Sequence, residues 1–243
     1  TQVLTLFPYT TLFRSHGCLL RYDLRGFGQS YPQCAEFSHA ADLLALLDLL
    51  GIQRAVLCGC SKGGTTAIDF TLAHPQRVAG LVLVCTAPTG FEFTGDPPRQ
   101  WDEMVAAFKR RDFLTAAELD VQMWVDGPQR TPQQLDPFLR SRVFEMDLIA
   151  LANEANCLGK ETWLEANAAA RLGEMRLPVQ VILGALDDPN IVRAGHWMAE
   201  TIPGAQKAVF PHAAHLPNLE QPEAFNQILL SFLSTLKVND AAN

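Results

Sequence analysis

The stretch Gly59-Cys60-Ser61-Lys62-Gly63-Gly64 constrains this chain more than any other part of it. It joins an apolar run, residues 55–60, to residues 62–73, which read as a helix stopped at His74-Pro75. A serine with glycine two positions away on either side suits a strand–turn–helix junction without room for side chains at those glycines. The serine is pushed out above the sheet edge. The first N–H groups and the positive dipole end of the helix then lie beside its oxygen.

The surrounding text repeats the same grammar. Residues 18–22 (CLLRY) read as a short strand and residues 23–30 (DLRGFGQS) as a glycine-rich turn. Ser38 can cap a helix that runs to about Leu50 and ends at Gly51. Residues 80–86 read as a buried strand. Strand, helix and strand at this spacing predict a parallel sheet covered on both faces. The pattern breaks at a loop, residues 88–98. Residues 101–172 carry helical text with no strand signal, and their aromatic and Met residues read mostly as core. Strands resume at 179–184 and 206–210, separated by a helix at 191–202. A helix with Pro at its start, residues 222–236, follows. The expected layout is therefore α/β: a core of residues 16–87 and 173–238, interrupted by a helical cap insert at 88–172.

Composition excludes several functions. With 26 acidic against 19 basic residues and a net charge of −7, the chain repels nucleic acid and anionic lipid. No apolar run is long enough to span a bilayer. Of six cysteines, Cys58 and Cys60 are one residue too close for C-x-x-C, and no second pair has zinc-ligand spacing. They read as small buried hydrophobes of a reduced, cytoplasmic protein. No metal and no cofactor are expected.

Serine is a weak nucleophile at neutral pH and needs a base. His212 and His215 lie in the loop after the last strand, free to reach over the sheet. An orienting carboxylate is available from Asp187 or Asp188, just after 179–184. The chain order is then Ser, Asp, His. At this point the sequence resembles the α/β-hydrolase superfamily. Residues 23–30 match its D-x-R-G-x-G-x-S turn, 59–64 its nucleophile turn and 184–187 its G-x-x-D. Residues 215–225 (HLPNLEQPEAF) match its H-x-P-x-x-E-x-P-x-x-F ending. The resemblance implies Ser61 as nucleophile, His215 as base and Asp187, rather than Asp188, as orienting acid. Asp23 and Arg25 are expected to form a structural ion pair, and Glu220 to support the histidine loop.

The backbone N–H of Lys62 is the expected oxyanion donor. In the family a second donor comes from a loop after the third strand. Here that loop would precede His16, so the N-terminal strands are expected to be missing. His16-Gly17 then reads as a helix end. The Lys62 amine is expected to reach solvent, with a preference for acidic substrates as the alternative. Residues 5–15 (TLFPYTTLFRS) resemble a translated sequencing adapter, so residues 1–15 are set aside as a scar. Residues 3–7 are apolar enough to replace the missing strand. The layout is similar to enol-lactone hydrolases and small esterases, which implies a small-molecule ester or lactone as substrate. Carbon–carbon hydrolysis of ring-cleavage diketones and a non-catalytic binding role are the competing readings.

Overall fold

The computed structural model describes residues 18–32, 34–157 and 159–236. Among these, four strands form one parallel sheet in chain order: β1 (Ala55–Cys60), β2 (Val78–Val84), β3 (Val179–Gly184) and β4 (Gln206–Phe210). Alternation sorts their side chains to two faces. Leu81, Leu83, Val181 and Leu183 meet α1 (His39–Leu49), α2 (Lys62–Ala73) and α6 (Pro189–Thr201) through Leu43, Leu47, Ile68, Phe70 and Met198. Val82, Val84 and Ile182 turn the other way, onto Phe225, Leu229 and Phe232 of the C-terminal helix Pro222–Thr235. β3 is buried along its whole length, as a parallel strand covered on both faces should be.

Helix starts follow local chemistry. Ser38 caps α1 by accepting from Ala41 N, and Asp188 caps α6 by accepting from Asn190 N, with Pro189 at the first helical position. Between β2 and β3 the chain is helical: α3 (Trp101–Lys109), α4 (Phe113–Val121), a π-helical turn (Gln122–Asp126) and α5 (Pro137–Cys157). Met104, Ala107, Ala116, Ala117, Leu119, Met123 and Leu151 give this segment a hydrophobic cluster of its own. The aromatic residues divide. Phe108, Phe113, Trp124 and Phe144 pack on that cluster, whereas Trp101 and Phe138 are exposed.

Three expectations change. Residues 18–22 form no strand; Leu19, Leu20 and Tyr22 are exposed, and a strand needs a neighbouring ladder to satisfy its backbone. Arg25 does not pair with Asp23. It makes a two-pronged bond to Asp42 of α1, at 2.6 and 3.0 Å, while the Asp23 carboxylate accepts from Gln29 N inside its own turn. The cysteines are not all reduced and buried: Cys34 is disulfide-bonded and Cys18 is exposed. The helical segment also touches the sheet-bearing part through one β-bridge, Phe37 to Glu161. The readings for residues 1–15, the strand replacement at 3–7 and His16-Gly17 fall outside the described residues. No helix among the described residues is long and apolar enough to cross a membrane.

Candidate active site

Each site residue follows the C-terminal end of a strand. Ser61 follows β1, Cys85 and Thr86 follow β2, Asp187 follows β3 and His215 lies in the loop after β4. Ligand sites of open parallel sheets form at this edge.

Ser61 has φ +51°, a strained conformation for a residue with a side chain. Its surroundings hold it there. Ser61 N donates to Val84 O (3.0 Å). Its carbonyl accepts from Gly64 N (2.9 Å), Thr65 N (3.0 Å) and the Thr86 hydroxyl (2.6 Å). Gly59 is required because a Cβ there would collide with the Gly63 backbone. Gly63 itself is not sterically required, contrary to the sequence expectation: a Cβ there meets nothing, and the crowded neighbour is Gly64, against Thr86. Lys62 N–H stands at the first helical position, where no acceptor exists within the helix.

Thr86 had no motif to reveal it. Thr86→Val keeps the shape and deletes the donor to Ser61 O. We expect a stability loss of about 1 kcal/mol, the net worth of one such bond, read from the midpoint of denaturant unfolding. An unchanged midpoint would show that the hydroxyl does not hold the turn.

Asp187 and His215 are brought together. His215 Nδ1 lies 2.8 Å from Asp187 Oδ2, with the two residues only 5% and 2% exposed. Asp187 Oδ1 accepts from Asp188 N (2.7 Å). Asp188 is occupied in capping α6, and His212 is exposed. Gly184 of the G-x-x-D stretch has a steric reason: a Cβ there would collide with Ala214 O, so its absence lets the histidine loop lie against the end of β3. Cys60 Sγ lies 3.5 Å from His215 O, which ties that loop to the residue before Ser61.

Glu220 supports the loop as expected. One oxygen accepts from Ala214 N (2.8 Å), and the other from Arg130 (2.6 Å), which also reaches His212 O (3.3 Å). Trp124, which sequence reasoning did not single out for the site, accepts the His215 backbone N–H on its carbonyl (3.2 Å). Its ring centroid stands 4.8 Å from the imidazole.

The Lys62 side chain is 38% exposed, so it reaches solvent as expected, and it is also paired within the protein. It bonds Glu161 at 2.5 Å and lies 5.5 Å from the centre of the Trp163 ring. His39, 2% exposed, faces the other Glu161 oxygen at 3.6 Å, and burial lowers its proton affinity. Asp69 of α2 accepts from Leu164 N and Glu165 N. Residues 161–165 are therefore fastened to the helix that begins at the serine.

Cys85 Sγ, Asp187 and His215 offer donor atoms within 4.8 Å of one another, a geometry a metal could bridge. The chemistry fits poorly. Nδ1 of His215 is committed to Asp187, and burial pushes the Cys85 thiol up, so it keeps the proton a metal would have to displace.

A family model for the α/β hydrolase fold matches residues 11–222. The chain belongs to this family. It is a hydrolase of the α/β-hydrolase superfamily. Over 175 residues it is 32% identical to a pimeloyl-[acyl-carrier protein] methyl ester esterase of Aromatoleum aromaticum, covering 70% of each chain. It is 27% identical to 3-oxoadipate enol-lactonase 2 of Acinetobacter baylyi, over 88% of this chain and 78% of that one. Among solved structures it is similar to a hydrolase from Pseudomonas aeruginosa PA01, with TM-score 0.73 and 31% identity, covering 92% of this chain and 82% of that one. In this α/β hydrolase the match takes in the serine turn, Asp187 and His215.

Proposed function

We propose that this hydrolase cleaves a small carboxylic ester or lactone through an acyl-enzyme on Ser61. The observation that carries the reading is the buried 2.8 Å contact of His215 Nδ1 with Asp187, together with a serine held at positive φ at the C-terminal edge of the same sheet. A histidine whose Nδ1–H is committed to a carboxylate presents Nε2 as an acceptor. His215 takes the Ser61 proton as Oγ bonds to the carbonyl carbon. The oxyanion that forms faces the Lys62 N–H, a donor worth about 2.7–4 kcal/mol in the transition state. The carbon–oxygen bond to the leaving alcohol then breaks, and the alkoxide takes its proton from His215. Water, deprotonated by His215, returns the acyl group as an acid and restores Ser61. Residues 88–172 serve as the cap, a role supported by the contacts of Trp124 with His215 and of Glu161 with Lys62. The methyl ester esterase and enol-lactonase relatives support this substrate class.

A fluorophosphonate probe tests the nucleophile. Labelling of the wild type and its complete loss in Ser61→Ala is the expected outcome, with hydrolysis of aryl esters and lactones lost in parallel. Labelling that persists in Ser61→Ala overturns the assignment. Turnover confined to ring-cleavage diketones overturns the ester and lactone class.

A further inference from the structure

Lys62 carries two groups with separate duties. Its backbone N–H is the proposed oxyanion donor, at the first position of α2. Its side chain leaves the serine turn and ends on the segment that returns from α5 to the sheet. There the ammonium donates to Glu161 Oε2 at 2.5 Å and lies 5.5 Å from the centre of the Trp163 ring. A charge-assisted bond is stronger than one between neutral groups, and the aromatic face adds attraction for the cation.

The peptide that carries the donor is held at both ends. Ser61 C=O and Lys62 N–H belong to one rigid plane. The carbonyl end accepts from Gly64 N, Thr65 N and the Thr86 hydroxyl. The other end is the Lys62 Cα, and the Lys62 side chain ties it to Glu161.

Glu161 is itself fixed. It forms a parallel bridge with Phe37, just before α1. Phe37 N donates to Lys160 O (3.1 Å) and Thr162 N donates to Phe37 O (2.7 Å), so the residues on both sides of Glu161 are held. A few residues on, Asp69 accepts from Leu164 N (3.0 Å) and Glu165 N (2.5 Å). Asp69 and Lys62 belong to the same helix, about two turns apart. Residues 161–165 therefore grip α2 at its start and again further along, and the first grip falls on the residue of the donor.

The second Glu161 oxygen does not compete. Oε1 is buried without a hydrogen-bond partner, and His39 Nε2 stands 3.6 Å from it, too far for one. Burial lowers the proton affinity of His39 against the pull of Glu161. The imidazole therefore stays neutral at neutral pH, and Lys62 is the cation that Glu161 answers.

We propose that Glu161 is a positioning residue for the oxyanion donor: by holding the Lys62 side chain it fixes the Lys62 peptide against the reacting carbonyl. The inference rests on the acyl-enzyme reading of Ser61.

Two variants test it. Lys62→Met keeps the peptide N–H and an unbranched stem beside Trp163 but removes the ammonium. Glu161→Gln keeps the shape and removes the charge. Losing an oxyanion donor outright costs about 10²–10³-fold in kcat. Loosening one costs part of that, so each variant should lose about tenfold in kcat with KM within about twofold of the wild type. A trifluoromethyl ketone forms a tetrahedral adduct on Ser61 with its oxygen at the donor, and its affinity should fall by the same factor as kcat/KM. In a folded variant, a merely structural role leaves that affinity unchanged. The double variant should lose no more than either single one, since both act through one contact. Lys160→Met removes the adjacent, exposed cation and should match the wild type. Single variants within about twofold of the wild type in both kcat and ketone affinity overturn the assignment, as does a loss in KM alone or a loss that multiplies in the double variant. Lys62→Met decides the matter if Glu161→Gln does not fold. Fluorophosphonate labelling separates the two readings. A wild type not labelled at Ser61 rejects the acyl-enzyme and this assignment together, whereas a labelled wild type with unimpaired variants rejects this assignment alone.

Discussion

Asp187→Asn is expected to lower kcat for ester hydrolysis by about 10⁴-fold with the fold retained. The carboxylate accepts the Nδ1–H of His215 and so keeps Nε2 free for the proton of Ser61. An amide can turn its NH₂ toward Nδ1 instead, which moves the ring proton to Nε2 and blocks the base. The adjacent Asp188→Asn is the control. Asp188 caps α6, so its loss should cost about 1 kcal/mol of stability or less and leave kcat within a few-fold of the wild type. Steady-state kinetics on one aryl ester, with an unfolding curve for each variant, separates the two. A kcat for Asp187→Asn within tenfold of the wild type would falsify its assignment as the orienting acid.

Glu220→Ala should be the most destabilising single change near the site. Its carboxylate is 5% exposed and Arg130 is 11% exposed, so the pair lies largely out of water. Removing one partner leaves a buried guanidinium without its counter-charge, which costs about 3–5 kcal/mol. Ala214 N–H loses its acceptor at the same time. Because Ala214 precedes His215, kcat should fall even where the protein remains folded. Glu220→Gln keeps the shape and one acceptor and should lose less. Denaturant midpoints measure both. A loss below about 1 kcal/mol for Glu220→Ala would mean that water or the Val125 and Asp126 carbonyls carry the guanidinium.

Where chemistry depends on backbone within a few residues, the text was readable. Ser61 needs a strand–turn–helix with a glycine at 59, and Asp187 needs a strand end with a glycine at 184. Both demands leave marks in the sequence, as does the HxP ending that carries His215. Contacts between distant residues leave no such marks. Arg25 reaches Asp42 rather than its close neighbour Asp23 because the turn folds onto α1. Lys62 meets Glu161 across 99 residues, and Trp124 meets His215 across about ninety, where no hydrophobic period or spacing rule operates. Gly63 shows the opposite error, a motif position that sterics alone do not demand. The run at 18–22 had a strand's composition, but composition cannot supply a hydrogen-bonding neighbour.

The bond from the His215 backbone N–H to Trp124 O has a consequence for engineering by recombination. The proposed general base takes part of its support from the insertion between β2 and β3. A chimera that exchanges this insertion for a relative's would inherit a foreign seat for its own imidazole, together with a foreign partner for Glu220 in place of Arg130. Substrate range and proton transfer would then change together. The exchange unit that keeps them separate must carry Trp124 and Arg130 along with the residues that cradle them.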